Sequence, residues 1–272
     1  MSFFRLFFSI LWYTLGATVI CGLCVYLCRH LFVRMLGGKA GRGAVLATSI
    51  IGTPVHEIGH ALMCLLFGHK ITDMSLWQPA SADGTLGYVS HSYNSRNPYK
   101  VLGNLFIGVG PIFSGLGVLT LMLWLCFPSA LDQYLDASRA MVASGENGFV
   151  LFFEGLKLFP HAIGEAIASD DVSVWLRIIG VIVILSVALH IELSPADIKG
   201  SLGAIPLYLL LVLLVTVICS LIGSSASSAV TEALAMFSAT LTSLFVIVLV
   251  VSLLELLIAL PVWIIRKLVQ KK

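Results

Sequence analysis

Charged side chains are scarce in this chain. Asp, Glu, Lys and Arg make up 11% of its 272 residues, against 58% hydrophobic residues. Soluble globular domains carry about a quarter charged residues, so the scarcity excludes an ordinary soluble domain. The net charge is only +2 and no basic cluster is interleaved with aromatic residues, which excludes nucleic acid as a partner. The composition indicates a protein surrounded by the lipid bilayer.

The sequence also lacks a cysteine framework. Its six cysteines all lie within or at the edge of apolar stretches, at Cys21, Cys24, Cys28, Cys64, Cys126 and Cys219. A disulfide scaffold or a soluble zinc knuckle needs cysteines in segments outside the membrane, so both classes of site are excluded.

Long apolar runs are what the chain has instead. Six stretches reach the length of about 20 residues that a transmembrane helix requires; they cover residues 6–28, 43–68, 101–127, 173–193, 202–223 and 234–265. We predict an all-α polytopic membrane protein with about six transmembrane helices, forming a single integral membrane domain over residues 1–272. Its core covers residues 43–127 and 173–223.

Two segments between the apolar runs are more polar. In residues 69–100, the short β-like runs Ile71–Trp77 and Leu86–Ser90 flank turn residues, which predicts a short β-like loop. We expect His69 and His91 in this loop to be solvated. The acidic, amphipathic insertion 129–172 would cover the bundle as a lid or as a docking surface for a regulatory membrane partner.

Basic residues give a conflicting signal about membrane orientation. Lys and Arg favour the cytoplasmic side, so the basic final residues place the C-terminus in the cytoplasm. With six spans the N-terminus is cytoplasmic too, in what we expect to be the cell membrane of a bacterium. The same model leaves four basic residues on the outer side, against the rule: Arg29, Arg34, Lys39 and Arg42.

One apolar run contains polar residues in a meaningful pattern. His56, Glu57 and His60 interrupt a helix that is otherwise almost bare of polar groups. Histidines four residues apart project from one helix face and can bind the same metal ion, and the glutamate lies beside them to activate a metal-bound water. Zinc is the usual metal for such ligands, and it lowers the pKa of a bound water to about 7. We therefore predict one Zn²⁺ ion.

Hydrolytic zinc normally has three protein ligands, so a third must come from elsewhere in the chain. Asp197 is the best candidate, because Pro195 breaks the helix before it and lets the backbone bend into a cavity. His190 and Glu192 are the rivals, either as metal ligands or as supports for the ligands.

Several of these features together resemble the site-2 protease family of intramembrane zinc metalloproteases. The chain has "HEIGHAL" at 56–62, then "LFGHKI" at 66–71 and a β-like segment, then "GVGP" at 108–111, and a late aspartate behind a proline. The family usually shows Asn-Pro and Leu-Asp-Gly around that aspartate, whereas this chain reads "SPADIKG", and it has no PDZ-like segment. The resemblance covers roughly 43–127 and 173–223.

The resemblance implies a role for each matching residue. His56, His60 and Asp197 bind zinc, Glu57 activates the water, and the β-like segment is membrane-re-entrant and pairs with an unwound substrate. Asn104 is a candidate substrate contact, unless it only packs between helices. The implied activity is hydrolysis of a peptide bond in or near the membrane-spanning segment of a substrate protein.

Two other classes of function remain open from the sequence. A divalent-metal transporter also places His and Glu within a span, but it needs facing ligands along a path through the membrane. A catalytically inactive scaffold of the same fold would keep partner binding without cleavage.

Overall fold

The computed structural model describes residues 2–79, 84–144 and 148–269. Over these residues the chain is mostly helical, with one small sheet. Helices prevail because an apolar segment in lipid must satisfy its backbone N–H and C=O groups within itself. The elements are α1 (Phe3–Leu11), a π-helical turn (Trp12–Gly16), α2 (Ala17–Leu36), α3 (Gly38–Leu66), β1 (Lys70–Ser75), β2 (Tyr88–Ser92), α4 (Pro98–Cys126), α5 (Pro128–Ala143), α6 (Gly148–Ser169), α7 (Val174–Ala188), α8 (Pro195–Ser201), a 3₁₀ turn (Leu202–Ala204), α9 (Ile205–Ile222) and α10 (Ser224–Val269).

Four helical stretches in the described residues are long and apolar enough to cross a membrane, which confirms a membrane protein. They are Phe3–Leu36, Pro98–Cys126, Pro195–Ile222 and Ser224–Val269. The other two predicted windows are also helices, but α7 has 15 residues, or about 23 Å, against a hydrocarbon core of about 30 Å. The structure therefore supports four spans, and the count of six stays a prediction.

Helices α3 and α4 approach each other closely at two glycines. A Cβ atom on Gly59 would lie 2.6 Å from the carbonyl carbon of Gly110, and one on Gly110 would lie 2.5 Å from the carbonyl oxygen of Gly59. Small residues allow helix backbones in membranes to touch in this way. The contact sets the motif helix directly against the glycine-rich helix.

The predicted β-like loop is a two-stranded antiparallel sheet of β1 and β2. The Tyr88 hydroxyl donates to Asp73 across the pair at 2.8 Å. Beyond β1, the indole N–H of Trp77 donates to the Ser49 hydroxyl on α3 at 2.9 Å, which fixes the sheet to the motif helix. All four strand ends lie within two residues of the predicted runs.

The described part of the acidic insertion forms α5 and α6, which pack on each other and on α10. The hydroxyl of buried Tyr134 donates to the Ser243 carbonyl on α10 at 2.8 Å. Arg177 on α7 donates to the carbonyls of Ala166, Ile167 and Asp170 at the end of α6. The insertion is thus a helical hairpin laid against the bundle, and its role as a lid stays a prediction.

The C-terminal ends of α2 and α10 lie together. Arg266 donates to the Met35 carbonyl at 2.9 Å, above a turn in which Gly37 has a φ of +82°. Residues with a side chain rarely adopt a backbone conformation with this positive φ, so glycine is favoured at position 37. The six-span prediction separated the basic α2–α3 turn from the basic C-terminal region across the membrane, whereas this contact places them at one end of the bundle.

Candidate metal centre

His56 and His60 lie one turn apart on α3 and face the same cavity. Each donates its Nδ1–H to a backbone carbonyl: His56 to His190 at 2.8 Å, and His60 to Ile107 at 2.7 Å. Because a carbonyl can only accept, the proton of each neutral ring sits on Nδ1 and Nε2 is left with a free lone pair. The two Nε2 atoms are 3.2 Å apart.

The carbonyl that orients His60 is available because of a proline. In an α-helix the Ile107 carbonyl would accept from the N–H of residue 111, but Pro111 has none. The free carbonyl turns to the imidazole instead. The carbonyl of His190 is available for a similar reason, since α7 ends at Ala188. Each histidine is therefore oriented by a backbone group that its own element leaves unpaired.

Asp197 completes the group from the opposite side. Its Oδ1 is 3.1 Å from Nε2 of His60, and its Oδ2 is 3.6 Å from Nε2 of His56. The carboxylate is held in place at the start of α8 by a capping box with Ser194, whose N–H donates to Oδ2 at 2.8 Å and whose hydroxyl accepts from the Asp197 N–H at 3.1 Å. The Pro195 break that pointed to Asp197 in the sequence is the first residue of this helix.

The three side chains fit a metal ion. One ligand atom from each of His56, His60 and Asp197 lies within 4.8 Å of the other two. Two bare nitrogen lone pairs and a carboxylate repel one another at these distances unless a cation or a proton lies between them. Two imidazoles and one carboxylate are also the donor set of hydrolytic zinc sites. The geometry supports a metal site, and the choice of zinc rests on this donor chemistry.

Glu57 is buried, with 6% of its surface exposed, beside the three ligands in one cavity of about 800 Å³. The segment from Gly84 to Val89 forms another wall. A Cβ atom on Gly87 would lie 3.1 Å from Oε1 of Glu57, so this backbone passes close to the carboxylate. The cavity therefore brings together a candidate base, a candidate metal site and a backbone segment that leads into β2.

The rival ligands lie on the cavity wall but outside the metal group. The His190 ring donates from Nδ1 to the Ser186 carbonyl at 2.9 Å, and its Nε2 is buried without a hydrogen bond. Glu192 forms an ion pair with Arg29. His190 thus supports His56 through its backbone, and Glu192 neutralises an arginine at the edge of the cavity.

Asn104 also lines the cavity, as expected for a substrate contact, although its amide donates to the Val101 carbonyl of its own helix at 3.2 Å. Its backbone carbonyl accepts from the Ser201 hydroxyl at 3.2 Å. The residue therefore also contributes to packing between α4 and α8, and its substrate role stays a prediction.

The expectation of solvated histidines in the β-like loop was wrong for His69. Only 4% of its surface is exposed, and both ring nitrogens form hydrogen bonds, to His91 and to the Lys100 carbonyl. His91 lines the cavity. The register of β1 and β2 pairs His91 with Ile71, which lies two residues after His69. No short-range sequence pattern predicts that His69 and His91 come into contact.

Comparisons with protein-family models, with curated proteins and with solved structures each found no match.

Proposed function

We propose that this chain is an intramembrane zinc metalloprotease, which hydrolyses a peptide bond in or near the membrane-spanning segment of a substrate protein. The observation that supports it most is the meeting of His56, His60 and Asp197 beside buried Glu57 in one cavity. Ionisable residues at membrane depth are costly and mark functional sites by default. A hydrolytic centre accounts for all four residues, three as metal ligands and Glu57 as the base.

In this proposal His56, His60 and Asp197 hold the zinc ion. Bound zinc would act as a Lewis acid, which would polarise the scissile carbonyl and make a water molecule acidic enough to react at neutral pH. Glu57 takes the proton from the attacking water and delivers it to the leaving amine, so one carboxylate acts first as a base and then as an acid.

The sheet would present the substrate to this centre. A helical substrate hides its carbonyls in its own hydrogen bonds, so it must become extended before it can be cut. The Gly84–Val89 segment runs along the cavity wall and continues into β2, where an extended peptide can add as another strand. Gly87 keeps this segment close to Glu57 because it has no side chain to hold them apart.

The same features support membership of the site-2 protease family as a proposal. The order of motif helix, hairpin, glycine-rich helix with Pro111, and late aspartate after a proline matches what the family resemblance implies. The departure at "SPADIKG" leaves the carboxylate within reach of both histidines.

For the membrane orientation we propose that the α2–α3 turn and the end of α10 face the cytoplasm of a bacterial cell, because their basic residues lie together. Because the 34-residue stretch Phe3–Leu36 is long enough to cross the membrane, its N-terminal end would then lie on the side opposite the cytoplasm. This replaces the cytoplasmic N-terminus expected from six spans. Single cysteines at Arg34 and Lys267 should react with an impermeant thiol reagent from the same side of sealed vesicles, and labelling from opposite sides would refute the arrangement.

A transporter is the competing class. A transporter needs several sets of ligands, one after another, along a path through the membrane. Among the described residues we find one group that could hold a metal ion, formed by His56, His60 and Asp197. Proteoliposomes that enclose a zinc-sensitive dye and carry a labelled apolar peptide in the bilayer test both functions at once. We expect cleavage without zinc uptake. Uptake that survives Glu57→Gln, with no cleavage by the wild-type protein, would replace the protease by a transporter.

A further inference from the structure

His69 and His91 form a pair of rings at the edge of the candidate active site. Their Nδ1 atoms are 3.0 Å apart, and Nε2 of His69 is 2.8 Å from the Lys100 carbonyl. His69 also stacks on Tyr93, with ring centroids 4.6 Å apart. His69 is therefore fixed on both sides, and His91 is held through it.

These contacts determine where the protons are. The Lys100 carbonyl can only accept, so His69 carries its proton on Nε2, and Nδ1 of the neutral ring is an acceptor. The hydrogen bond between the two rings then needs its proton on Nδ1 of His91. A neutral His91 consequently has no proton on Nε2. This atom can accept a hydrogen bond, and it is the ring nitrogen of His91 that the contact with His69 does not use.

The surroundings keep His91 in this neutral form. Burial lowers the pKa of His91, because a charged ring would lose its hydration there. His91 lines the same cavity as Glu57 and the candidate metal ligands, and it is only partly buried, so a bound molecule can reach it.

Other bare acceptors on the cavity wall differ in access. Nε2 of His190 and Oε2 of Glu192 have no hydrogen bond, but both atoms are enclosed by the protein. The carboxylate of Asp197 and the Nε2 atoms of His56 and His60 face one another as metal ligands. An extended peptide brings backbone N–H groups into this cavity, and each of them loses free energy if it is buried without an acceptor.

We propose that His91 is a substrate-positioning residue whose Nε2 accepts a hydrogen bond from a backbone N–H of the extended peptide, and that His69 holds the ring in the required tautomer. The proposal rests on the proteolytic function and adds to it a contact with the substrate backbone, independent of the peptide's side chains. His91 acts on the placement of the peptide, whereas Glu57 acts on the reacting atoms.

The test measures peptide binding without cleavage. Purified Glu57→Gln protein is loaded with zinc in micelles and titrated with a fluorescein-labelled peptide of apolar residues that carries a central Gly-Pro break. In this background His91→Phe keeps an aromatic ring but removes the acceptor, and we expect Kd to rise about five- to tenfold, the worth of one neutral hydrogen bond. His91→Gln restores an acceptor at a similar reach and should recover most of the affinity.

The controls separate this role from packing. Tyr93→Phe removes a hydroxyl directly after β2 while it keeps the stacked ring, and it should leave Kd within about twofold. His69→Phe should weaken binding less than His91→Phe and add little to it in the double variant, because both changes act on one hydrogen bond. Zinc content should be equal in all of them. ¹⁵N spectra of the imidazoles should show His91 protonated on Nδ1.

Three results would overturn the proposal: unchanged affinity in His91→Phe, equal losses in His91→Phe and His91→Gln, or a proton on Nε2 of His91. Failure of the proteolytic function looks different. In that case the Glu57→Gln parent binds the peptide and responds to His91→Phe, yet the wild-type protein does not cut it. A parent that does not bind the peptide at all would overturn both proposals.

Discussion

Glu57→Gln is expected to lower peptide hydrolysis by about a thousandfold, the scale at which general acid–base catalysis contributes to enzymes. Glutamine has nearly the shape of glutamate, so it should preserve the packing of a side chain that is 6% exposed. It cannot take a proton from water, however, and cannot return one to the leaving amine. The measurement is the initial rate of cleavage in proteoliposomes, with zinc content determined on the same preparation.

Glu192→Gln is the matched control, since it neutralises another carboxylate on the same cavity. Its amide oxygen can still accept from Arg29, so the contact that holds it is weakened but kept. We expect this variant to retain most of the activity. Rapid hydrolysis by Glu57→Gln, or an equal loss in both variants, would show that the role assigned to Glu57 is wrong.

Asp197→Ala is expected to lower zinc affinity by more than about a hundredfold. Removal of a hydrogen-bond partner of a metal ligand alone costs about ten- to a hundredfold in affinity, and here the ligand itself is lost. The two histidines that remain are neutral and cannot balance the charge of the ion. Zinc content by mass spectrometry, followed by competition with a chelator of known affinity, gives the size of the effect.

This substitution also removes a helix cap, so Ser194→Ala serves as its control. That variant loses the hydroxyl that accepts from the Asp197 N–H and keeps the carboxylate. Loss of an N-cap of this type costs about 1 kcal/mol of stability, which should leave zinc bound. Zinc retained by Asp197→Ala would move the third ligand to His190 or Glu192. Wild-type protein that takes up no zinc when it is supplied would favour the inactive scaffold.

The sequence was sufficient to predict the parts of the site that depend on local spacing. His56 and His60 share a face because four residues make about one helical turn, and the Pro195 break marked Asp197 as a candidate. The carbonyl of Ile107 was also accessible to this reasoning, since a proline at position 111 frees the carbonyl four residues earlier.

The rest depends on contacts between distant segments. His69 and His91 lie 22 residues apart and meet through the pairing of β1 with β2, whose register cannot be derived from composition. The basic α2–α3 turn joins the end of α10 because these helices pack side by side with their C-terminal ends together. Hydropathy predicts how many residues can cross a membrane, but it does not say which ends of the helices meet.

The carbonyls that orient the two histidines belong to neighbouring elements, so the candidate metal position depends on three parts of the bundle. Ile107 lies on α4 and His190 lies just beyond α7, while both imidazoles project from α3. A slide of either neighbour by about an ångström would break a hydrogen bond that keeps Nε2 turned toward the proposed metal position. The affinity for a metal ion should therefore depend on the relative positions of α3, α4 and the segment that follows α7. Coupling of this kind is reciprocal: if loosening the contacts between these elements lowers the affinity for the metal ion, a bound ion stabilises the same contacts by an equal free energy.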